Sequence, residues 1–281
     1  EQLKKIKEYY GFDKPIYESF YIWLVKNKMG LAADSFNYNN KTVIQLIIEK
    51  LPISLMFGLT GFILTYLICI PLGISKALRD GSAFDLSSSL LVFIGYSLPA
   101  FAFGMLLKLC FCGSIHFLDI LPATGYYSNN YNTLSSWGKF IDILKHMFLP
   151  VTCYVIGNFA VTTILMKNSL MEQISQDYIR TVIARGGKFS LAIWGHALRN
   201  ALVPIATGFG GILTVMFAGS VIIERIFEIP GMGQLSLTAI ISRDYPVFMG
   251  ILGLTTILGM FGTLFSDFCY MLIDPRINFD K

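Results

Sequence analysis

Charged side chains are scarce in this sequence. Asp, Glu, Lys and Arg make up 14% of its 281 residues, whereas hydrophobic residues make up 54%. Soluble domains usually carry about 25% charged residues, so this deficit excludes a surface that faces mainly water. The net charge is only +4 and the basic residues are scattered. This argues against a nucleic-acid surface, because such a surface needs a concentrated basic stripe.

The sequence also lacks the motifs of soluble enzymes and of ATPases. It contains no H-E-x-x-H, no G-x-S-x-G and no paired carboxylates on one helix face, and Cys110 and Cys112 form a poor zinc signature. The phosphate-binding pattern G-x-x-x-x-G-K-[ST] is absent, since residues 186–190 lack its first glycine and its adjacent hydroxyl. The chain is therefore predicted to be non-catalytic and to bind no metal. If ATP is used, another chain must bind it.

Long hydrophobic runs dominate the rest of the sequence. A helix needs about 20 apolar residues to cross the hydrocarbon core of a membrane, and five runs reach that length almost without charge. The predicted spans are 51–75, 86–107, 147–166, 201–223 and 247–270, with Asp267 the one interruption. Spans without charge disfavour the leading alternative, a secondary transporter or channel, because ion-coupled carriers normally need ionisable groups at mid-membrane.

Basic residues are divided unevenly between the connecting loops, and this predicts the orientation of the chain. Nine Lys and Arg lie in residues 76–85, 167–200 and 274–281. Only four lie in the opposite loops, 109–146 and 224–246. The richer side should be cytoplasmic, which places the N-terminal segment 1–50 on the extracytoplasmic side. That segment carries eight lysines, but it also contains six acidic residues. The preference of Lys and Arg for the cytoplasmic side is weak in long segments.

The loop 167–200 has the pattern of a helix, a break and a second helix. Ser169 and Glu172 fit a capping box at the start of the first helix. The glycine pair at 186–187 supplies a turn that ends it, and Ser190 can cap the second helix. Apolar side chains recur at helical spacing at Leu170, Ile174, Tyr178 and Thr181 or Val182. An apolar face outside the membrane needs cover, which either lipid headgroups or a groove on a soluble partner could supply.

Two stretches of this loop resemble the EAA loop of ABC importer permeases, in their peptide-permease branch. They read Gln176-Asp-Tyr-Ile-Arg-Thr-Val-Ile-Ala-Arg-Gly186 and Gly195-His-Ala-Leu-Arg-Asn-Ala-Leu-Val-Pro204. In that family the loop forms a coupling helix, which sits in a groove of the ATPase subunit and transmits its closure to the pore. The resemblance implies docking by Tyr178, Arg180, Thr181, Ala184, Arg185 and Gly186. Val182 and Ile183 depart from the small and basic residues that are usual there.

A second motif resembles the outer loop that precedes the last helix in the same family. It covers residues 224–235 and 242–246 and includes Glu224, Pro230, Gly231, Gly233, Arg243, Asp244 and Pro246. Pro230 and the glycines after it predict a rigid turn whose backbone packs closely. For Arg243 and Asp244, anchoring at the headgroup boundary and contact with substrate both remain open.

The resemblance covers essentially the whole chain. Within the family, the chain most resembles the B subunits of microcin-C-type peptide importers. The segments that carry this closer resemblance are residues 10–15, 81–85, 95–101 and 273–279. It implies an all-α, type I permease bundle in the cytoplasmic (inner) membrane, with a transmembrane domain over 45–273. Family members have six transmembrane helices, so five here imply a shortened N-terminus. The implied partners are a second homologous permease subunit, P-loop ATPase subunits that bind ATP and Mg²⁺, an extracytoplasmic solute-binding protein, a peptide and membrane lipid.

Overall fold

The computed structural model describes residues 13–113, 119–211 and 219–273, and these residues are mostly helical. Within them, β-type pairing is limited to two isolated bridges, Asp34 with Thr42 and Cys112 with Asp119. The all-α prediction is therefore confirmed. The predicted cytoplasmic tail 274–281 lies outside the described residues, and so do the first residues of the N-terminal segment.

The described residues contain twelve α-helices, which we number in chain order. They are α1 (Ile16–Tyr21), α2 (Val43–Leu78), α3 (Ala83–Ser97), α4 (Ala100–Phe111), α5 (Ser136–Ile174), α6 (Asp177–Ala184), α7 (Phe189–Ala192), α8 (Leu198–Ala201), α9 (Val203–Ala206), α10 (Val221–Ile226), α11 (Met232–Ile241) and α12 (Tyr245–Ile273). Two π turns (Ile22–Lys26 and Ile193–Ala197) and two 3-10 turns (Tyr131–Thr133 and Thr207–Phe209) lie between them.

Three of these helices, α2, α5 and α12, are long and apolar enough to cross a membrane. They contain the predicted spans 51–75, 147–166 and 247–270 and extend beyond them at both ends. α2 and α5 approach each other closely: a Cβ added to Gly73 would lie 2.6 Å from the Cβ of Met166. Small residues permit such contacts in a membrane, where no hydrophobic driving force brings helices together.

The prediction of one continuous helix over 86–107 is wrong. α3 ends at Ser97, α4 begins at Ala100, and the two helices are bent by 97°. The break lies at Leu98 because proline forces the residue before it out of the helical region, and Leu98 has φ −93° and ψ 123°. By length and composition, α3 and α4 form either one broken span or a re-entrant loop.

The predicted span 201–223 is also interrupted where the structure describes it. The short helices α8 and α9 and the turn Thr207–Phe209 replace a long helix, and Pro204 lies at the start of α9. Residues 212–218 lie outside the described residues, and α10 begins at Val221. The described residues therefore contain three candidate spans, or four if the bent pair counts as one, compared with the five predicted.

Buried apolar side chains form three clusters along the bundle. One joins the start of α2 to α11 and α12, and a second joins the middles of α2 and α5 to α10. The third, which we call the coupling-end core, comprises Ile74, Ala77, Met166, Leu170, Ile179, Ala192, Ile193, Ala197, Ala201 and Ile205. It holds the loop 167–200 against the ends of the two long helices α2 and α5.

Candidate functional site

The helix α6 lies in the middle of the predicted coupling loop and has a glycine-determined end. Gly186 has φ +85°, a left-handed conformation that glycine adopts without a steric penalty. The N–H of Gly186 donates to the carbonyl of Ile183 (2.9 Å), and the N–H of Gly187 donates to that of Val182 (3.0 Å). These bonds satisfy carbonyls at the end of the helix. The prediction that the glycine pair ends the first helix is confirmed.

The two predicted helix starts in this loop are wrong. Ser169 lies inside α5, because that helix continues to Ile174. Its hydroxyl donates to the carbonyl of Ala201 (2.9 Å) and so fastens α5 to α8. The second helix, α7, has Lys188 at its N-cap, so Ser190 lies within the helix and does not cap it.

The apolar face of α6 needs no partner, contrary to the prediction. Ile179 is only 1% exposed and packs into the coupling-end core, with Tyr178 and Val182 beside it. The Tyr178 hydroxyl donates to Gln173 Oε1 (2.9 Å) and accepts from Asn200 Nδ2 (3.2 Å). The face is covered because the chain returns through α7 and the π turn Ile193–Ala197, a contact that helical periodicity alone does not reveal.

The opposite side of α6 is open. Five of the six predicted coupling residues are exposed. Arg180, Thr181 and Ala184 lie on this side of α6, and Arg185 and Gly186 follow the end of the helix. Arg180 lies 3.5 Å from Asp177, but both side chains are largely solvated, so the pair contributes little to stability. Four large apolar side chains of the same loop are also exposed, namely Ile183, Phe189, Leu191 and Trp194. The side that could dock is thus mixed in character; it carries five of the six residues predicted to dock and lies opposite the apolar face of α6.

An ion cluster beside the coupling-end core was not among the predicted sites. The Asp85 carboxylate lies 3.0 Å from Lys76 Nζ and 2.7 Å from Lys167 Nζ, and Lys167 also reaches Asp80 (2.8 Å). Lys76 is only 1% exposed and donates further bonds to the Ser88 and Ser89 hydroxyls. The cluster joins the end of α2, the start of α3 and the last turns of α5. A lysine directly after an uncharged run, as at position 76, is the sequence signal that could have indicated it.

In the outer-loop motif, Glu224 forms the centre of a buried hydrogen-bond network. Its side chain is almost completely buried, and its two oxygens accept from the Ser54 hydroxyl and from the N–H of Gln234 (both 2.8 Å). Burial raises the pKa of the Glu224 carboxyl, although these hydrogen bonds oppose the shift. The Ser54 oxygen also accepts from the N–H of Met232 (2.7 Å). The turn after Pro230 is therefore fixed to α2.

The two glycines of this turn occupy positions without room for a side chain. A Cβ on Gly231 would lie 2.5 Å from Ser54 Oγ and 2.6 Å from the Glu224 carboxyl. A Cβ on Gly233 would lie 2.6 Å from the backbone nitrogen of Val221. The structure thus agrees with a rigid turn whose backbone packs closely.

We expect Gly233→Ala to destabilise the protein by about 1–3 kcal/mol, the usual cost of forcing extra atoms into a packed site. The atoms in its way belong to the backbone and cannot rotate aside. Gly95→Ala is the matched control, because a Cβ there meets nothing within 4 Å. The measurement is the thermal unfolding midpoint of each purified protein in detergent. Equal midpoints for the two variants would contradict the close contact at position 233.

Asp244 connects two distant parts of the chain. It is completely buried, and its carboxylate accepts from the Ser35 hydroxyl and from the N–H groups of Phe36 and Asn37 (both 3.2 Å). The N-terminal segment is thereby joined to the start of α12, where Pro246 occupies the first turn. Burial makes Asp244 inaccessible to substrate in this structure, whereas Arg243 is exposed. Of the two open interpretations for Asp244, the geometry favours a structural tie.

Metal ligands do not come together in the part of the chain that the structure describes. No group of three or more His, Cys, Asp or Glu side chains there could hold an ion. The buried His146 uses its Nδ1 atom locally, 2.8 Å from the carbonyl of Asp142. The prediction that the protein binds no metal stays a prediction.

Comparison with known proteins identifies the family. Residues 69–279 match the model for the inner membrane component of binding-protein-dependent transport systems. The chain is 40% identical to the peptidoglycan transport system permease protein YejB of Agrobacterium fabrum and 40% identical to the inner membrane ABC transporter permease protein YejB of Escherichia coli O157:H7. Each alignment covers the whole of this chain and 77% of the relative.

The oligopeptide transport system permease protein AppB of Bacillus subtilis is 33% identical over 97% of this chain and 84% of its own length. The family model alone covers more than half of the chain, and it includes the loop 167–200, the ion cluster and the outer-loop motif. This protein therefore belongs to the family of binding-protein-dependent transport system inner membrane components, and it is a multi-pass protein of the inner membrane.

Proposed function

We propose that the chain is the permease subunit of an ATP-driven importer that moves peptides across the inner membrane. The likeness along the whole chain to permeases of peptide transport systems carries this proposal. The chain itself performs no catalysis in this proposal. ATP and Mg²⁺ bind to the partner ATPase subunits, and a second homologous permease subunit and an extracytoplasmic solute-binding protein complete the importer.

The geometry of α6 supports a coupling role. Its exposed side carries Arg180, Thr181 and Ala184 and is free to enter a groove on a cytoplasmic ATPase. Its buried side carries Ile179, which packs in one cluster with residues of α2 and α5. Because packed cores deform little, a displacement of α6 moves the ends of both long helices. Closure of the ATPases would thus bias the bundle between outward-facing and inward-facing states.

We expect Ala184→Arg to remove the ATPase subunits from the purified complex and to stop peptide uptake. Position 184 is exposed, so the added side chain has space in the isolated chain but not in a packed interface. Disruption at the centre of an interface costs about 2 kcal/mol or more, which weakens association about 30-fold. ATPase co-purification and uptake of a labelled peptide measure the two effects.

Asn132→Arg is the matched control, because position 132 is also exposed but lies in the loop predicted to face the other side. It should keep both ATPase and uptake. Normal ATPase retention by Ala184→Arg would contradict docking at α6. Peptide uptake by the unmodified complex that persists without ATP would contradict the proposed function itself.

A further inference from the structure

A cleft of about 340 Å³ opens between α2, α5 and the turn after α9. Its walls are residues 58–66 of α2, residues 154–165 of α5 and residues 205–211. Because these stretches lie near the middles of the two long helices, the cleft lies at mid-height of the bundle. Its volume is at the lower end of the range for small-molecule pockets.

Several polar side chains in the cleft have unused hydrogen-bonding capacity. The Asn158 amide, the Thr162 hydroxyl and the Tyr66 hydroxyl form no hydrogen bond with any residue that the structure describes. By contrast, the hydroxyls of Thr65 and Thr207 donate to nearby backbone carbonyls. A polar group at membrane depth is costly unless it has a partner. Asn158 is exposed and lines the cleft, so its amide is accessible to a ligand that passes or binds there.

The cleft is also free of charge. Its described lining residues include no Asp, Glu, Lys, Arg or His, and its apolar wall is formed by Phe62, Val161, Leu165 and Ile205. A peptide that crosses a membrane must satisfy its backbone N–H and C=O groups, since each unsatisfied group costs several kcal/mol. An asparagine amide can donate to the carbonyl and accept from the N–H of a peptide group.

We propose that this cleft forms part of the peptide path and recognises the peptide backbone through neutral groups, with Asn158 as the central contact. This inference rests on the proposed function. The lack of a fixed charge makes the path indifferent to the charge of the peptide's side chains. A charge introduced at position 158 should therefore create a preference that the natural path does not have.

The test compares uptake of three labelled tripeptides by the complete importer: trialanine and its versions with a central lysine or a central glutamate. Relative to the unmodified importer, Asn158→Asp should raise the lysine-to-glutamate uptake ratio at least about fivefold, as expected of one unit charge in a partly dry cleft. Asn158→Lys should shift the ratio in the opposite direction. Asn158→Leu should lower uptake of all three peptides and leave their ratio unchanged.

Asn168→Asp is the matched control, because Asn168 is an exposed asparagine on the same helix but lies outside this cleft. It should leave the ratio unchanged. The inference is overturned if both charged variants at position 158 lower all three uptakes equally or fail to assemble, which would identify Asn158 as a packing residue. A ratio that shifts with Asn168→Asp alone overturns it too. Absence of ATP-dependent uptake of every peptide by the unmodified importer contradicts the proposed function and this inference together.

Discussion

Replacing Gly186 with valine is expected to abolish ATP-dependent peptide uptake while a normal amount of protein inserts into the membrane. The backbone at position 186 has φ +85°, and a left-handed conformation costs an ordinary residue about 1–2 kcal/mol, with β-branched residues the worst. No atom lies within 4 Å of an added Cβ, so the penalty comes from the backbone and not from a clash. The chain can relieve it only by reshaping the end of α6.

This change should misplace the exposed side of α6 and leave the coupling-end core intact. The measurements are peptide uptake and ATPase co-purification, each normalised to the amount of inserted permease. Gly186→Asn is the first control, because asparagine tolerates the left-handed region and should retain most activity. Gly125→Val is the second, since Gly125 has φ +79° in the opposite loop.

Two outcomes would contradict the coupling role of this turn, and a third would contradict the expected normal insertion of the variant. One is normal uptake with normal ATPase retention in Gly186→Val. Another is an equal loss of uptake in Gly186→Val and Gly125→Val, since general backbone strain would then explain both. The third is loss of the inserted Gly186→Val protein while Gly125→Val inserts normally, because position 186 would then determine folding.

Asp85→Leu is expected to lower the free energy of unfolding by about 3–5 kcal/mol, the range for removing one member of a buried ion pair. Lys76 is 1% exposed and would be left without the carboxylate that lies 3.0 Å from its Nζ atom. Lys167 would still have Asp80 as an ion-pair partner, so it would lose less electrostatic stabilisation than Lys76. The measurement is the thermal unfolding midpoint of the purified permease in detergent, together with the yield of inserted protein.

The double variant Lys76→Met/Asp85→Leu should recover much of this loss, because it removes both charges and leaves apolar groups of similar size. Asp80→Asn is the matched control within the same cluster. Its side chain is about half exposed, so the change should cost at most about 1 kcal/mol. If Asp85→Leu and Asp80→Asn shift the midpoint equally, the cluster is not a buried tie between helices.

The sequence was sufficient to predict the helical membrane fold, because hydrophobic run length has a direct physical link to membrane thickness. The same criterion could not place the ends of α2 and α5, since both helices continue into residues that carry charge. It also missed the break at Leu98. Uncharged residues on both sides made 86–107 look continuous, although Pro99 carried the local signal for an interruption.

Within the candidate site, local chemistry was predictable and tertiary contact was not. Gly186 ends its helix as expected, because a left-handed turn depends on a single residue. The prediction that the apolar face of α6 needs an external partner was wrong. Ile179 on that face is covered by a segment that follows it in the chain. The pairing of Lys76 with Asp85 and Lys167 likewise depends on how three helices meet. The docking roles stay predictions for all six residues, Tyr178, Arg180, Thr181, Ala184, Arg185 and Gly186.

The tie between Asp244 and residues 35–37 has a consequence for the order of folding. Ser35 and Asp244 are separated by 209 positions in the sequence, so one partner leaves the ribosome long before the other. Contacts between such distant residues form late, because a long loop must close first. Until α12 is synthesised, the segment around Ser35 has no buried carboxylate to bind. Truncation before Asp244 should therefore leave that segment open to protease, even where α2 and α5 have already packed.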